Sequence, residues 1–250
     1  MKAIIFAGGK GTRIHEITGS VVPKSLARLN AEFPRILISY QLYELEKAGF
    51  KKVLIVFQED WQVQIFLQSY KLGEVPKLEY TFFNSKHSHV LCAFKNVELI
   101  RWIDGSDFLV TYGDVFCDAE TFRSLINLSK KNNTTAICRM FSKSERWQFN
   151  NKFLSFMEDE DNRIIKYEFK SLGSFTIHAP VLFQNRALDR IIKLINNTQE
   201  PRSISLYLDL IDNNELSTID NSCVQNMNTY EDVPKILELI RKYQQDEGSK

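Results

Sequence analysis

The hydrophobic pattern of the first half of the chain alternates between the strand and helix periods. Ala3–Ala7 is a short apolar run ending at Gly8-Gly9, as a strand buried in a parallel sheet reads. Ile38, Leu42 and Leu45 recur at helical spacing, and Gly49 offers a C-terminal stop. Lys52–Phe57 predicts a second buried strand, and Asp60 stands where it can cap a helix carrying Val63, Phe66, Leu67 and Tyr70. Leu78–Phe83 predicts a third strand, followed by a helix from His89 to Arg101. Asp107–Tyr112 predicts a fourth strand, ending at Gly113-Asp114, after which Asp118 can cap a helix holding Phe122, Leu125, Ile126 and Leu128. This order predicts an α/β fold with a mixed, mostly parallel sheet flanked by helices on both faces.

Beyond residue 132 the pattern changes. Thr134–Met140, Lys152–Met157, Arg163–Phe169 and Gly173–His178 read as strands, with the polar Glu158–Asn162 as a hairpin connection. Helices are expected near Leu182–Ile195 and Ile204–Asp212, then a strand pair around Glu215–Ile219 and Cys223–Met227. Val233, Ile236, Leu237 and Ile240 mark a closing amphipathic helix, and Gln244–Lys250 is polar enough to fray. Neither a repeat nor a linker interrupts the chain, so the expectation is one domain over residues 1–250 with a small β-rich insertion.

Composition bounds the picture without changing it. Two hundred and fifty residues, 44% hydrophobic and 25% charged, with 18 Phe and 9 Tyr, suit a large α/β core and exclude a disordered chain. A formal net charge of +1 with scattered Lys and Arg offers no stripe for nucleic acid. No apolar run approaches a membrane span, and Met1 leads directly into a strand, so no membrane is expected and the chain reads as cytoplasmic. Cys92, Cys117, Cys138 and Cys223 form no CxxC pair; the first three sit in apolar stretches and read as buried thiols.

Most of the chemical information lies in Ala7-Gly8-Gly9-Lys10-Gly11-Thr12-Arg13. Three glycines in four positions permit positive φ and close approach of the main chain. Successive N–H groups can then form a concave anion site after the first strand, where ligands collect in open sheets. Thr12 adds a hydroxyl, and Arg13 adds a planar fork suited to phosphate. A Walker A loop is excluded because Lys10 is followed by Gly11, and a dinucleotide fingerprint is excluded because Ile14 stands where its last Gly belongs. A tight turn without a ligand is the alternative.

Gly8-Gly9-x-Gly11-Thr12-Arg13-Ile14, Pro23-Lys24, Gly113-Asp114 after the fourth strand, and Met227-Asn228-Thr229-Tyr230-Glu231-Asp232 follow one another along the chain. In this order and over nearly its whole length the chain resembles the sugar-1-phosphate nucleotidyltransferases, the cytidylyl- and thymidylyltransferases of glucose 1-phosphate among them. Thr111–Asp114 and Glu16-Ile17-Thr18 are most similar to the cytidylyltransferase branch. The resemblance implies a Rossmann-like fold of the nucleotide-diphospho-sugar transferase type, with a nucleotide-binding half over 1–132 and a sugar-phosphate-binding half over 133–243. It implies that a sugar phosphate oxygen attacks the α-phosphorus of a nucleoside triphosphate and pyrophosphate leaves. An anion attacking a polyanion needs positioning and charge neutralisation above all.

The same resemblance assigns roles. Gly8, Gly9, Gly11, Thr12 and Arg13 bind the nucleotide, and Arg13 neutralises the leaving pyrophosphate. Lys24 contacts the α-phosphate or the sugar phosphate, and Lys170, in Glu168-Phe169-Lys170, holds the sugar phosphate. Asp114 is the main Mg²⁺ ligand and Asn228 the second, with Asn226 as a substitute. Plainer readings stand beside these: a turn Asp, a turn Asn, and surface lysines. His89 falls where the family has the glycine against which the base lies, so its side chain stacks on the base, blocks it, or faces solvent. Asn30-Ala31-Glu32-Phe33-Pro34 replaces the family's Gly-Lys-Pro hairpin, and the loop before Pro23 is one residue longer. The partners implied are a nucleoside triphosphate and a sugar 1-phosphate, with a homo-oligomer left open. Two other functions compete: a non-catalytic regulatory paralogue that binds nucleotide or sugar phosphate, and a transferase acting on a non-sugar phosphate such as phosphocholine.

Overall fold

A computed structural model of the chain describes residues 1–9, 19, 22–29, 32, 34–85, 90–142, 148–149, 152–170, 174–198, 201–220, 224–227 and 230–248. Its main sheet has seven strands in the order β11-β6-β10-β4-β1-β2-β3. These are β1 (Lys2–Phe6), β2 (Lys52–Phe57), β3 (Glu79–Asn84), β4 (Phe108–Tyr112), β6 (Thr135–Ser142), β10 (Ser174–Phe183) and β11 (Leu216–Asp220). β1, β2 and β3 run parallel, as do β6 and β11, while β10 is antiparallel to both β4 and β6. The expected mixed, mostly parallel sheet is therefore present. The chain gathers into two units, one of Met1–Lys86, Thr111–Phe122 and Cys223–Lys250, the other of His87–Val110 and Arg123–Ser222.

In the first unit, β1 and β2 are apolar on both faces because both are covered: Ala3, Ile4, Ile5, Val53 and Ile55 are fully buried. α1 (Leu37–Lys47) ends as its glycine predicts: Gly49 takes φ +91°, and the Phe50 N–H turns back to the Leu45 carbonyl. α2 (Asp60–Lys71) starts at the residue expected to cap it, one position early. Glu59 is its N-cap, the Gln62 side chain accepts from the Gln58 and Glu59 N–H groups, and Asp60 belongs to the first turn. β5 (Val115–Phe116) pairs antiparallel with β12 (Gln225–Asn226). α7 (Val233–Gly248) closes the unit and runs through most of the polar stretch expected to fray. Its Ile236 and Ile240 join Leu37, Tyr40, Phe116 and Met227 in one buried cluster.

α4 (Ala119–Asn132) begins with the expected cap, Asp118 accepting from the Thr121 N–H at 2.8 Å. A second carboxylate that the sequence does not announce supports the same helix end. Glu44 on α1 is 3% exposed, accepts from the Ala119 N–H at 2.8 Å, and pairs with Lys47 at 2.6 Å. Glu44→Ala strands a buried N–H, so a loss of about 1–3 kcal/mol is expected. A lower denaturant midpoint at unchanged slope reports it, and Glu44→Gln, which still offers an oxygen, recovers part.

In the second unit the helix expected over 89–101 is split. A 3-10 turn covers Val90–Lys95, and α3 (Val97–Ile103) starts afresh because the Asn96 side chain accepts from the Glu98 N–H at 2.7 Å. Leu182 and Phe183 belong to β10, so the next helix, α5 (Ala187–Asn197), starts later than expected, followed by α6 (Ser203–Asp212). β11 and β12 are not partners: β11 lies parallel to β6, and β12 pairs with β5. The β-rich insertion is the three-stranded sheet β7 (Gln148–Phe149), β8 (Lys152–Glu158) and β9 (Ile164–Lys170). Its turn follows the EDEDN reading, with Asn162 at φ +61° and the Asp159 carboxylate accepting from the Asp161 and Arg163 N–H groups. Of the cysteines expected to be buried, Cys117 and Cys138 are, and Cys92 is half-buried.

Candidate active site

The corner where β1 ends is built entirely within the first unit. The Ala7 N–H donates to the Val56 carbonyl, so the chain leaves the sheet only after Ala7. A Cβ on Gly8 would lie 2.6 Å from Gln58 Cγ and 2.9 Å from the Gln58 nitrogen. Gly8 is thus required by the close passage of the 57–58 backbone, and not by a positive φ. Gly9 has nothing within 4 Å of such a Cβ and is exposed, with room for a ligand to reach its main chain.

Gly113 is seated against the same strand end. Its N–H donates to the Phe6 carbonyl at 2.9 Å, and a Cβ there would lie 2.6 Å from Ser25 Cβ and 3.2 Å from Ala7 Cα. Ser25 in turn donates its hydroxyl to the Ala7 carbonyl at 2.7 Å. Three segments far apart in sequence, Phe6–Gly8, Lys24–Ser25 and Gly113–Asp114, therefore touch. Pro23 opens a 3-10 turn over Lys24–Leu26 whose residues are all buried, which aims the Lys24 side chain inward.

Lys24 is 8% exposed and donates from Nζ to Asp114 Oδ2 at 2.9 Å and to the Met227 carbonyl at 2.7 Å. The Met227 N–H donates to the Asp114 carbonyl at 2.9 Å, extending the β5–β12 ladder by one residue. The Met227 side chain is fully buried in the core cluster, so its carbonyl is held in place. Asp114 and this carbonyl are hard oxygen donors of the kind magnesium prefers. Among the described residues no group of three or more His, Cys, Asp or Glu gathers to hold a metal. These two oxygens suit a cation that takes further ligands from phosphates and water.

Of the residues singled out from the sequence, Gly8, Gly9, Lys24 and Asp114 come together here. Asn228 directly follows Met227, but Asn228, Gly11, Thr12, Arg13 and His89 lie outside the described residues. Lys170 belongs to the other unit and is described through its backbone, which pairs with Phe153. Ser25, the Met227 carbonyl and the packing of Gly113 against Ala7 and Ser25 were not foreseen. Ser25 follows the Pro-Lys pair and could have been suspected; a main-chain carbonyl has no sequence signature. A buried hydrogen bond from Gln41 Nε2 to Thr111 Oγ1, at 3.0 Å, braces β4 shortly before Gly113. The segment replacing the Gly-Lys-Pro hairpin is tied to α7 by a forked Arg241–Glu32 pair at 3.0 and 3.1 Å. The Arg241 hydrogen bond holds the Glu32 carboxyl below the usual carboxylate range.

The nucleotidyl transferase family model matches residues 2–150. A "probable glucose-1-phosphate cytidylyltransferase" of Bacillus subtilis (strain 168) is 30% identical over 137 residues, 49% of this chain and 53% of that protein. The match spans about half the length of that curated relative. A Bacillus anthracis protein assigned as a glucose-1-phosphate thymidylyltransferase, solved in complex with a sucrose, is similar in fold: TM-score 0.73, 18% identity, covering 96% of this chain and 95% of that one. So is the CTP:phosphocholine cytidylyltransferase LicC of Streptococcus pneumoniae, at TM-score 0.64 and 16% identity, covering 96% of this chain and 98% of that one.

Proposed function

Because the chain belongs to the nucleotidyl transferase family, we propose that it joins a nucleoside triphosphate to a sugar 1-phosphate, releasing pyrophosphate and yielding a nucleotide-activated sugar. One observation carries the reading. The Gly8-Gly9 main chain, the Asp114 carboxylate and the buried Lys24 ammonium meet at the end of β1, a corner shaped for phosphate and cation together.

In the reaction a phosphate oxygen of the sugar 1-phosphate forms a bond to the α-phosphorus. The bond to the β-phosphate breaks, and pyrophosphate leaves with its electrons. Gly8 and Gly9 let phosphate oxygens approach main-chain N–H groups. Lys24 neutralises the α-phosphate or the incoming sugar phosphate, Arg13 the departing pyrophosphate, and Lys170 the sugar phosphate. His89 would stack on the base. Asp114 and Asn228 would hold Mg²⁺, which supplies charge to offset the phosphates. Among the described residues no helix is long and apolar enough to cross a membrane, and a nucleoside triphosphate substrate places the work in the cytoplasm.

The named relatives suggest what to try first. Purified full-length protein with Mg²⁺ is expected to release pyrophosphate from CTP and glucose 1-phosphate, and chelation of the metal to stop it. dTTP with glucose 1-phosphate and CTP with phosphocholine are the next pairs. Silence across every nucleotide and phosphate acceptor, with measurable nucleotide binding, would replace this reading with that of a regulatory paralogue.

A further inference from the structure

We infer that Lys24 is a built-in counter-ion of the cation site: its ammonium and a divalent cation compete for one pair of oxygens, so the site admits metal only when a triphosphate draws the lysine away. This rests on the reading of Asp114 as a cation ligand.

Both acceptors of Lys24 Nζ, Asp114 Oδ2 at 2.9 Å and the Met227 carbonyl at 2.7 Å, are the hard oxygens a divalent cation would use. None of the three parts is free to drift. Pro23 and the 3-10 turn fix the start of the lysine, and Ser25 anchors that turn on the Ala7 carbonyl. The Met227 carbonyl is held by the Met227 N–H bond to Asp114 and by a side chain buried in the core. Asp114 follows Gly113, which is wedged against Ala7 and Ser25. The lysine side chain is only 10% exposed, so its charge is poorly screened by water. A dication entering this corner alone must face that charge at contact distance.

A triphosphate changes the balance. Its oxygens offer the ammonium stronger acceptors than one carboxylate oxygen and one carbonyl. Once the lysine turns to them, Asp114 and Met227 are released to the cation. Nucleotide and metal therefore favour each other's binding, by the same factor in each direction. The lysine thus has two stations: on Asp114 in the free protein, and on phosphate in the complex.

Mn²⁺, followed by its electron paramagnetic resonance signal without nucleotide, tests this. Lys24→Met should bind Mn²⁺ more tightly than the natural protein, by about tenfold or more. Lys24→Arg, which keeps a cation, should remain weak, and adding Asp114→Asn to Lys24→Met should remove the gain. In thermal melts, Mn²⁺ should raise the midpoint of Lys24→Met more than that of the natural protein. If Lys24→Met does not fold, Lys24→Gln, neutral and able to hydrogen-bond the Met227 carbonyl, carries the same expectation. No gain in the neutral variants, or an equal gain in Lys24→Arg, overturns the inference and leaves Asp114 as a ligand, provided Asp114→Asn still weakens Mn²⁺ binding. A gain that survives Asp114→Asn removes Asp114 from the cation site and takes the underlying reading with it.

Discussion

Asp114→Asn is expected to lower turnover by about three orders of magnitude, because one neutral amide then replaces the charge that offsets a crowd of phosphates. The substitution is nearly isosteric, so the fold should survive. Lys24 loses its charged partner while keeping the Met227 carbonyl. The Asp114 side chain is 27% exposed, so water can solvate the new amide, and the cost in stability belongs at the low end of about 1–3 kcal/mol. Pyrophosphate release and a chemical melt on the same preparation separate the two effects. Retention of a tenth or more of turnover by a folded protein would remove Asp114 from the chemistry.

Gly113→Ala is expected to damage stability and catalysis together. The new Cβ would sit 2.6 Å from Ser25 Cβ and 3.2 Å from the Ala7 Cα and Cβ. Two of these neighbours belong to a buried strand end, and the third is tied to that strand through its hydroxyl, so none yields cheaply. Overpacking of this kind costs about 1–3 kcal/mol. Any shift of the turn carrying Lys24 and Ser25 moves a catalytic group, and a displacement of about 1 Å there can cost on the order of a hundredfold in rate. The clash has a specific partner, so it should be partly reversible. Ser25→Gly in the Gly113→Ala background removes the 2.6 Å contact and should restore stability beyond the sum of the two single changes. Strict additivity would mean that Ser25 is not what the alanine meets.

The two experiments address different halves of the same corner. Asp114 tests the charge offered to the phosphates. Gly113 tests the packing that holds that charge beside the β1 end. The Mn²⁺ comparison of Lys24 variants adds a third, independent measurement, since it needs no substrate and no turnover.

The elements of this corner were legible from local pattern. The apolar run of β1 breaking at Gly8, the strand ending at Gly113-Asp114 and the Asp118 cap each depend on neighbours a few residues away, which periodicity and capping rules report directly. Where the reading slipped, a local alternative of similar strength won. Asn96 started a new helix inside the expected one, and Leu182 and Phe183 were claimed by the ladder of β10 rather than by the helix after it.

What the sequence by itself determined is the parallel strand–helix order, the glycine-lined end of the first strand and the residue types available there. Tertiary structure alone decided which of them meet. Lys24 is 90 residues from Asp114 and 203 from Met227, and one of its two partners is a main-chain carbonyl. A periodic pattern reports how deeply each residue is buried along one dimension. Partners across such separations are chosen by strand order and by the close contacts of Gly8 and Gly113, which exist only once the sheet has formed.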